Sequence, residues 1–458
     1  MNPREPAGEQ MRLPTLGEQT PHPVRLLWDE VFASPNIERA IRRVERNGGA
    51  PGIDGITVIE LRSHWRTNWP ATKAALDAGT YRPAPARKVE IPKPSGGVRI
   101  LGVPTVADRV IQQAVAQMLS PIFDPTFSEH SFGFRPNRSA HQAVNQARRF
   151  VQDGSNFVVD LDLESFFDQI NHDMLMARVA RGVKDKQVLR LVRAFLNAGV
   201  MEQGVCIRSE QGTPQGGPLS PLLANIMLDD LDAELQRRGH RFVRYADDVT
   251  IYVQSERAAQ RVFESITAFI ETKLKLRVNR DKSSVAPATR AHLLGFGLLK
   301  RKGKVDVRID PKARKKAKDR IRRLTARTWS VPMHRRIAAI NTFVRGWVGY
   351  FGLSDTPSVF DDLDKWLHRR MRQVRWKEWK KPSAKARNMR ALGIPASKAR
   401  EWSYSRKGSW RIAGSAPLQR ALPCSYWQQN GLVGFTQSYR RVRESLRTAG
   451  CGPACPVV

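Results

Sequence analysis

Two stretches of the sequence carry aspartates inside apolar, strand-like runs. In FVRYADDVTIYV, residues 242–253, apolar and polar side chains alternate after the aspartates, which predicts a strand. The preceding FVRY is the expected hairpin partner, so Asp247 and Asp248 fall at the turn. Adjacent carboxylates near apolar strands repel each other and lose hydration unless a cation neutralises them. An exposed Asp-Asp turn is the alternative explanation of this motif alone.

A second acidic strand is expected in FVVDLDLESFFDQINH, residues 157–172. Leu161 and Leu163 point to one face, which leaves Asp160 and Asp162 together on the other. Carboxylates on neighbouring strands can hold two Mg²⁺ ions, one lowering the pKa of an attacking hydroxyl and one stabilising the leaving oxygen. The two stretches together therefore predict phosphoryl-transfer chemistry.

The elements that position these aspartates are alternating helices and strands up to about residue 300. A helix is expected from Leu26 to the glycines at 48 and 49, and a hairpin over residues 88–105 around Ser95-Gly96-Gly97. A further helix should begin at Ser220-Pro221, after the loop GTPQGGPLSP. The chain has 458 residues, 41% hydrophobic and 26% charged, which excludes a fibrous or wholly disordered protein.

The positive charge of the chain, +34 in total, is concentrated in its last third. Residues 1–300 carry 40 basic and 33 acidic side chains, whereas residues 301–458 carry 37 basic and 10 acidic ones. Asp310 and Pro311 should begin a helix that is mostly Lys and Arg, for which a bound nucleic acid is the favoured partner. Eight of the 11 tryptophans also lie after residue 300. They either stack on bases or belong to the core.

The sequence predicts a cytoplasmic protein. Its start is charged and broken by prolines, and no stretch approaches the roughly 18 apolar residues of a membrane span. The four cysteines, at positions 206, 424, 451 and 455, do not form the paired pattern of a structural zinc site.

In these motifs and their order, the chain resembles the reverse transcriptases encoded by bacterial group II introns. The resemblance includes the two aspartate segments and the GTPQGGPLSP loop, and extends to APGIDGIT, IPKPSGGVRILGVPT, HSFGFRPNRSAHQAV, LKLRVNRDKS and HLLGFGLL. The segment at 334–351 is similar to the maturase-specific domain of that family. The match covers roughly residues 26–440. It implies an α+β right-hand polymerase, with fingers and palm followed by an all-helical thumb.

The resemblance implies a role for individual residues of the polymerase site. Asp162, Asp247 and Asp248 match the catalytic triad, which holds two Mg²⁺ with the Leu163 carbonyl. Nucleotide-binding residues would be Lys93, Arg99, Phe167, Gln215 and Lys282, with Phe167 as the steric gate against a ribose 2′-hydroxyl. Template and primer contacts would come from Arg135, Gly216, Gly217 and Gly295. Arg135 could instead tie its own loop together.

The basic region is expected to bind RNA. The residues assigned to this role are Arg314, Lys315, Lys318, Arg322, Arg335, Arg336 and Arg345. The implied function is an RNA-directed DNA polymerase and maturase that binds a group II intron RNA, promotes its splicing and copies it from a DNA primer with dNTPs. The zinc-containing endonuclease of larger relatives is not expected.

The expected organisation has five segments. Residues 1–22 should be disordered, 23–80 form an N-terminal RNA-binding extension, 81–300 the fingers and palm, 301–390 the thumb and maturase domain, and 391–458 a basic DNA-binding region with a tail. Two other functions stay open at this point. One is a free-standing reverse transcriptase in phage defence, spacer acquisition or repair, and the other is a non-catalytic RNA-binding splicing factor.

Overall fold

The computed structural model describes residues 27–92, 97–202, 205–207, 212, 216–326 and 328–449. The α-helices are α1 Leu27–Phe32, α2 Ser34–Asn47, α3 Leu61–Asp77, α4 Val106–Phe123, α5 Ala140–Gln152, α6 Phe166–Gln169, α7 His172–Gly182, α8 Lys186–Asn197, α9 Ser220–Arg237, α10 Glu256–Phe269, α11 Pro311–Leu324, α12 Met333–Phe351, α13 Pro357–Glu378, α14 Pro382–Ala391, α15 Ala396–Ser403, α16 Ser409–Ala413, α17 Ala416–Ala421, α18 Cys424–Gln429 and α19 Phe435–Ala449. The strands are β1 Ala86–Pro92, β2 Val98–Val103, β3 Phe157–Leu161, β4 Val200–Glu202, β5 Val205–Ile207, β6 Arg241–Tyr245, β7 Asp248–Val253, β8 Ser284–Pro287, β9 His292–Leu293, β10 Phe296–Arg301 and β11 Lys304–Ile309.

Two compact units divide the described residues, one within Met1–Pro125 and Asn171–Leu223, the other within Thr126–Ile170 and Ala224–Val458. No helix among the described residues combines the length and apolar character that a membrane span requires. The α+β prediction with a helical C-terminal region is confirmed.

The first unit combines a four-stranded sheet, in the order β2-β1-β4-β5, with the helices from α1 to α4 and α7 to α8. Strands β1 and β2 form the predicted antiparallel hairpin, with Ile91 opposite Arg99. The first predicted helix is two helices, α1 and α2, interrupted at Ala33. Pro35 explains the break, because its ring favours the first turn of a new helix and removes a backbone donor.

A second four-stranded sheet, in the order β6-β7-β3-β8, forms the centre of the second unit. All its strand pairs are antiparallel, and β3 lies between β7 and β8. The predicted hairpin of β6 and β7 is confirmed, and β3 is its direct neighbour. Consecutive residues of these strands are buried, among them Val158 and Val159 of β3 and residues 249–252 of β7, so both faces of the strands are covered. The sheet therefore holds both acidic segments side by side.

The C-terminal part of the second unit is helical from α11 to α19 and has its own apolar core. Trp376, Trp379 and Trp427 are buried in this core, which confirms the core alternative for these three tryptophans. Helix α11 begins as predicted, since the Asp310 carboxylate accepts a hydrogen bond from the backbone N–H of Lys312 at 2.7 Å.

Candidate active site and nucleic-acid interface

The antiparallel register of β3 and β7 brings the two acidic segments together. Asp160 lies opposite Thr250, and Leu161 lies opposite Val249. Asp162 directly follows β3, so the same register continued by one residue sets it opposite Asp248, the first residue of β7. Asp247 lies in the turn between β6 and β7. The three aspartates predicted to be catalytic therefore share one end of the sheet.

Residues 277–283 fix the backbone on both sides of Asp162. The Asp162 N–H donates to the Ser283 hydroxyl at 3.0 Å, and the Asp162 carbonyl accepts from the Asn279 N–H at 2.8 Å. The Glu164 N–H donates to the Arg277 carbonyl at 2.9 Å. The Leu163 carbonyl takes part in none of these three hydrogen bonds.

The turn between β6 and β7 is supported by the segment before α5. Ala246 adopts a left-handed conformation with φ of 59°, which a non-glycine residue rarely adopts. Gly133 packs against this turn so closely that a Cβ there would lie 2.2 Å from the Ala246 nitrogen. The Phe132 N–H donates to the Arg244 carbonyl at 2.9 Å, so the segment 130–133 extends the edge of β6.

A fully buried ion pair lies beneath the same turn. The Arg244 guanidinium donates two hydrogen bonds to the Asp232 carboxylate, at 2.8 and 2.6 Å, and both side chains are inaccessible to solvent. It also donates to the Ala246 carbonyl and to Asn225 Oδ1, each at 2.9 Å. The Asn225 amide in turn donates to the Gly133 carbonyl at 2.9 Å. The network thus connects α9, the 130–133 segment and the aspartate turn.

Sequence reasoning missed the five residues of this network. A signal was present, because an arginine within an otherwise apolar strand run must find a buried partner. Its partner could not be chosen from the sequence, since several acidic side chains occur in α9.

The carboxylates at the sheet end are electrostatically coupled. Burial, followed by the charges of Asp247, Asp160 and Asp162, raises the pKa of Asp248 to about 6. Burial and the neighbouring Asp162 raise the pKa of Asp160 to about 6, although the Thr250 hydroxyl opposes that rise. Lys282 Nζ lies 3.6 Å from Asp162 Oδ2, on a side chain that is mostly exposed. The site therefore has more negative than positive charge.

Such a donor set fits a hard divalent cation. Carboxylate and carbonyl oxygens are the ligands that Mg²⁺ prefers, and a cation would relieve the repulsion that raises the pKa of Asp248. In the chain as described, no three His, Cys, Asp or Glu side chains already meet at one metal position. The aspartates at the sheet end therefore fit Mg²⁺ by their ligand chemistry and their negative charge.

Phe167 and Gly295 also lie in the second unit. Phe167 follows the buried Phe166 in α6, and the two rings form an edge-to-face pair with centroids 5.2 Å apart. Gly295, with φ of 80°, lies between β9 and β10, where a Cβ would come within 3.3 Å of the Phe351 ring. Both positions remain predictions as substrate contacts.

Arg135 ties its own loop together, the alternative that the sequence left open. Its guanidinium donates to the carbonyls of Ser128 and Ser131, at 2.6 and 3.0 Å. It also lies over the Phe127 ring, 5.4 Å from the centroid. The template contact predicted for Arg135 stays a prediction.

The other predicted nucleotide and template residues belong to the first unit. Lys93 and Gln215 lie outside the described residues, and only the backbone of Arg99, in β2, is described. Gly216 has φ of 126°, and a Cβ there would lie 2.8 Å from the Gly102 carbonyl. A Cβ on Gly217 would come within 2.3 Å of Gln112 Oε1. Gly216 is therefore needed for close packing against backbone within this unit, whereas at Gly217 the Gln112 side chain would have to move.

The residues predicted to bind RNA separate into exposed and buried ones. Arg314, Lys315, Lys318 and Arg322 line one cavity of about 350 Å³ beside α11. Arg335 and Arg345 are exposed on α12. Arg336 is only 3% exposed, and it donates to the carbonyls of Leu324 and Trp329, both at 2.7 Å. The prediction of Arg336 as a surface RNA contact is corrected, because burial takes it off the exposed face.

Two protein families match this chain, each over a different range of residues. Residues 91–298 match the family described as reverse transcriptase (RNA-dependent DNA polymerase), and residues 314–393 match the group II intron, maturase-specific domain. The first match contains the aspartate turn, and the second runs from α11 to α14.

Individual relatives agree with these matches. Protein YkfC of Escherichia coli strain K12 is 30% identical over 322 residues, which are 61% of this chain and 84% of YkfC. The group II intron-encoded protein LtrA of Lactococcus lactis subsp. cremoris is 30% identical over 385 residues, covering 63% of this chain and 64% of LtrA. This chain therefore spans less than two thirds of LtrA.

Among solved structures, the chain is similar to one described as "Partial Cas6-RT-Cas1--Cas2 complex", at 25% identity and a TM-score of 0.36. That match covers 55% of this chain and 43% of the other, and at this TM-score it supports no conclusion.

Aspartates at a β-turn of an antiparallel sheet, within a segment that matches reverse transcriptases, define an RNA-directed DNA polymerase. The maturase-specific region and the shared identity with YkfC and LtrA narrow the class further. The chain belongs to the group II intron-encoded reverse transcriptases and maturases.

Proposed function

We propose that this chain binds a group II intron RNA, promotes its splicing and copies it into DNA at the insertion site. The observation that carries the proposal is the presence, in one chain, of the aspartate sheet end and a maturase-specific region. The same maturase-specific match favours the intron function over a free-standing reverse transcriptase.

In the polymerase reaction, Asp162, Asp247 and Asp248 would hold two Mg²⁺ ions, with the Leu163 carbonyl as a further ligand. Bound there, the ions supply the positive charge that favours an ionised primer 3′-hydroxyl and a departing pyrophosphate. Asn279, Ser283 and the Arg244 network hold the backbones that carry these aspartates. The chain thus contributes fixed geometry, which a loose, charge-spread transition state requires.

The other predicted residues would select and orient the nucleotide. Lys282, beside Asp162, would contact its phosphates, and Phe167 would exclude a ribose 2′-hydroxyl. Lys93, Arg99 and Gln215 would contact the triphosphate and base. These roles rest on the family motifs of the sequence.

For splicing, the protein would act by binding and stabilising folded RNA. The cavity beside α11 and the exposed arginines of α12 present fixed positive charge. Fixed cations displace diffuse counterions from the phosphate backbone, which favours compact RNA. The RNA would supply the splicing chemistry itself.

The polymerase assignment is tested by extension of a DNA primer on an RNA template. Wild type should incorporate dNTPs with Mg²⁺ and stop when EDTA is added. Asp247→Ala should abolish extension because it removes a metal ligand, whereas the control Asp173→Ala, which removes an exposed carboxylate on α7, should retain it. Equal extension by wild type and Asp247→Ala would refute the site.

The intron assignment is tested by sequencing RNA that is crosslinked to the protein by ultraviolet light in its native host. Enrichment of the transcript around its own gene is the expected result. Enrichment of one unrelated small RNA would instead support a free-standing reverse transcriptase.

A further inference from the structure

The C-terminal helices of the second unit line an open-sided cavity of about 860 Å³. Its walls come from residues 325–326 and 329–332, the second half of α13, the start of α14 and residues 405–409. We call it the tryptophan pocket, after the lining side chains Trp329 and Trp376. Small-molecule sites typically measure about 300 to 1,000 Å³, so the volume suits one or two nucleotides.

Each of these tryptophans has a cation over its ring. Lys385 Nζ lies 4.3 Å from the centroid of Trp376, and the Arg336 guanidinium carbon lies 5.1 Å from that of Trp329. Trp376 is buried and Trp329 is half-buried. Aromatic faces next to cations are the combination that binds a base together with its phosphate.

The charge of the pocket favours an anion. Six Lys or Arg side chains line it and only one carboxylate, that of Glu378, which lies 3.0 Å from Arg375 in an ion pair. Lys377, Lys380 and Lys407 are exposed around it, where they can reach phosphates without losing hydration.

Arg336 shapes the wall of the pocket and does not contact the RNA. Its terminal nitrogens donate to the carbonyls of Leu324 and Trp329, and its Nε is shut off from solvent, so a ligand in the cavity cannot reach it.

We infer that the tryptophan pocket binds an unpaired nucleotide of the RNA held by the maturase-specific region. The inference rests on the proposed RNA binding and adds a discrete site to it. The base lies against the half-buried Trp329 ring, and its phosphates face the exposed lysines. A base inside an A-form duplex cannot enter such a cavity, whereas one from a loop or bulge can. The pocket therefore distinguishes unpaired from paired nucleotides. The basic surface around it attracts both kinds of RNA.

The test uses the full-length protein and two fluorescein-labelled probes, a 12-nucleotide single-stranded RNA of mixed sequence and a 12-base-pair RNA duplex. Fluorescence anisotropy gives the Kd for each. Trp329→Leu should weaken single-strand binding about tenfold and change duplex binding less than about twofold, because only the unpaired base can stack.

Two further variants separate the pocket from folding defects and from general charge. Lys407→Ser alters an exposed residue and should weaken single-strand binding about threefold without a change in Tm. Trp410→Leu is the matched control, because Trp410 lies outside the lining yet also carries a cation, with Arg369 4.0 Å from its ring centroid. It should leave both probes unaffected.

Crosslinking followed by mass spectrometry should attach nucleotides to peptides that contain Trp329 or Trp376. Equal loss on both probes in Trp329→Leu would overturn the inference. So would a labelled poly-glutamate 12-mer that binds more tightly than the RNA and depends on the same residues, since the partner would then be an acidic protein.

Primer extension by wild type is measured in parallel. An inactive wild type with pocket-dependent RNA binding would refute the polymerase proposal alone. An active wild type whose single-strand binding is unchanged in both Trp329→Leu and Lys407→Ser would refute the pocket alone.

Discussion

At the scale of single residues, the chemistry depends on groups that never contact a substrate. The Arg244 and Asp232 side chains are both inaccessible, so each charge has lost its hydration and is compensated only by the other and by nearby polar groups. One of those groups is the Ala246 carbonyl, next to Asp247. The ion pair is thus coupled to the position of the aspartate turn.

Removal of one partner of this pair should be costly. Arg244→Met leaves a buried carboxylate unpaired, and we expect the free energy of unfolding to fall by about 3 to 5 kcal/mol. Urea unfolding measures this loss. Lys365→Met, which breaks an exposed i,i+4 pair with Asp361, should change stability by less than about 1 kcal/mol. Similar small effects in both variants would contradict the coupling of the buried pair to the fold.

Stability should also depend on pH through the crowded carboxylates. Asp248 and Asp160 have an ordinary pKa of 3.8 and titrate near 6 in the folded protein. Between these values the folded state binds more protons than the unfolded state, so their contribution destabilises the protein as pH rises from 4 to 6, then stays constant. In EDTA, Asp248→Asn should therefore be more stable relative to wild type at pH 8 than at pH 5.

Urea unfolding at the two pH values measures this difference, and Mg²⁺ at pH 8 should reduce it by stabilising wild type more than the variant. The same stability difference between wild type and variant at both pH values would contradict the raised pKa of Asp248.

At the scale of elements, the sheet that carries the three aspartates depends on both local sequence and long-range contacts. Strands β3 and β7 were predictable because each is a short run rich in apolar and β-branched residues with an aspartate in it or at its start. The role of Gly133 was not, because it depends on contact with a turn more than 100 positions later in the chain. Arg336 was placed on the surface for the same reason: its charge is visible in sequence, whereas the carbonyls that bury it are not.

The close contact of Gly133 makes a direct test of that element. In Gly133→Ala the new Cβ would overlap the Ala246 backbone, and neither side of the contact is a flexible side chain. We expect the turn to shift and primer extension to fall at least tenfold, with the far-ultraviolet circular dichroism unchanged. Gly349→Ala in α12 is the control, because a Cβ there meets nothing within 4 Å and helix propensity improves. Full activity in Gly133→Ala would show that the turn tolerates displacement.

At the scale of the whole molecule, the negative and the positive charges lie in different parts of the chain, as the proposed metal binding and the proposed RNA binding require. The acidic cluster that would hold the metal ions is in the central sheet, whereas residues 301–458 carry an excess of 27 positive charges. Total charge and its position along the chain were readable from sequence. The cavity beside α11 and the tryptophan pocket were not, since each is formed by helices that meet only in the folded chain.

The attraction between the basic region and RNA arises from counterion release. RNA binding should therefore weaken measurably as the salt concentration rises. The plot of log Kobs against log salt has a negative slope, and each phosphate contact to a single strand adds about 0.7 to its magnitude. Lys315 and Lys318 line the cavity beside α11, so their joint replacement by Ser should reduce the slope by about 1.4. Lys184→Ser is the control, because Lys184 lies outside the segments assigned to RNA binding and its Nζ donates to the Ala180 carbonyl at 2.9 Å, and it should leave the slope unchanged. Anisotropy titrations between 50 and 200 mM KCl give both slopes, and an unchanged slope in the double variant would exclude α11 from the RNA interface.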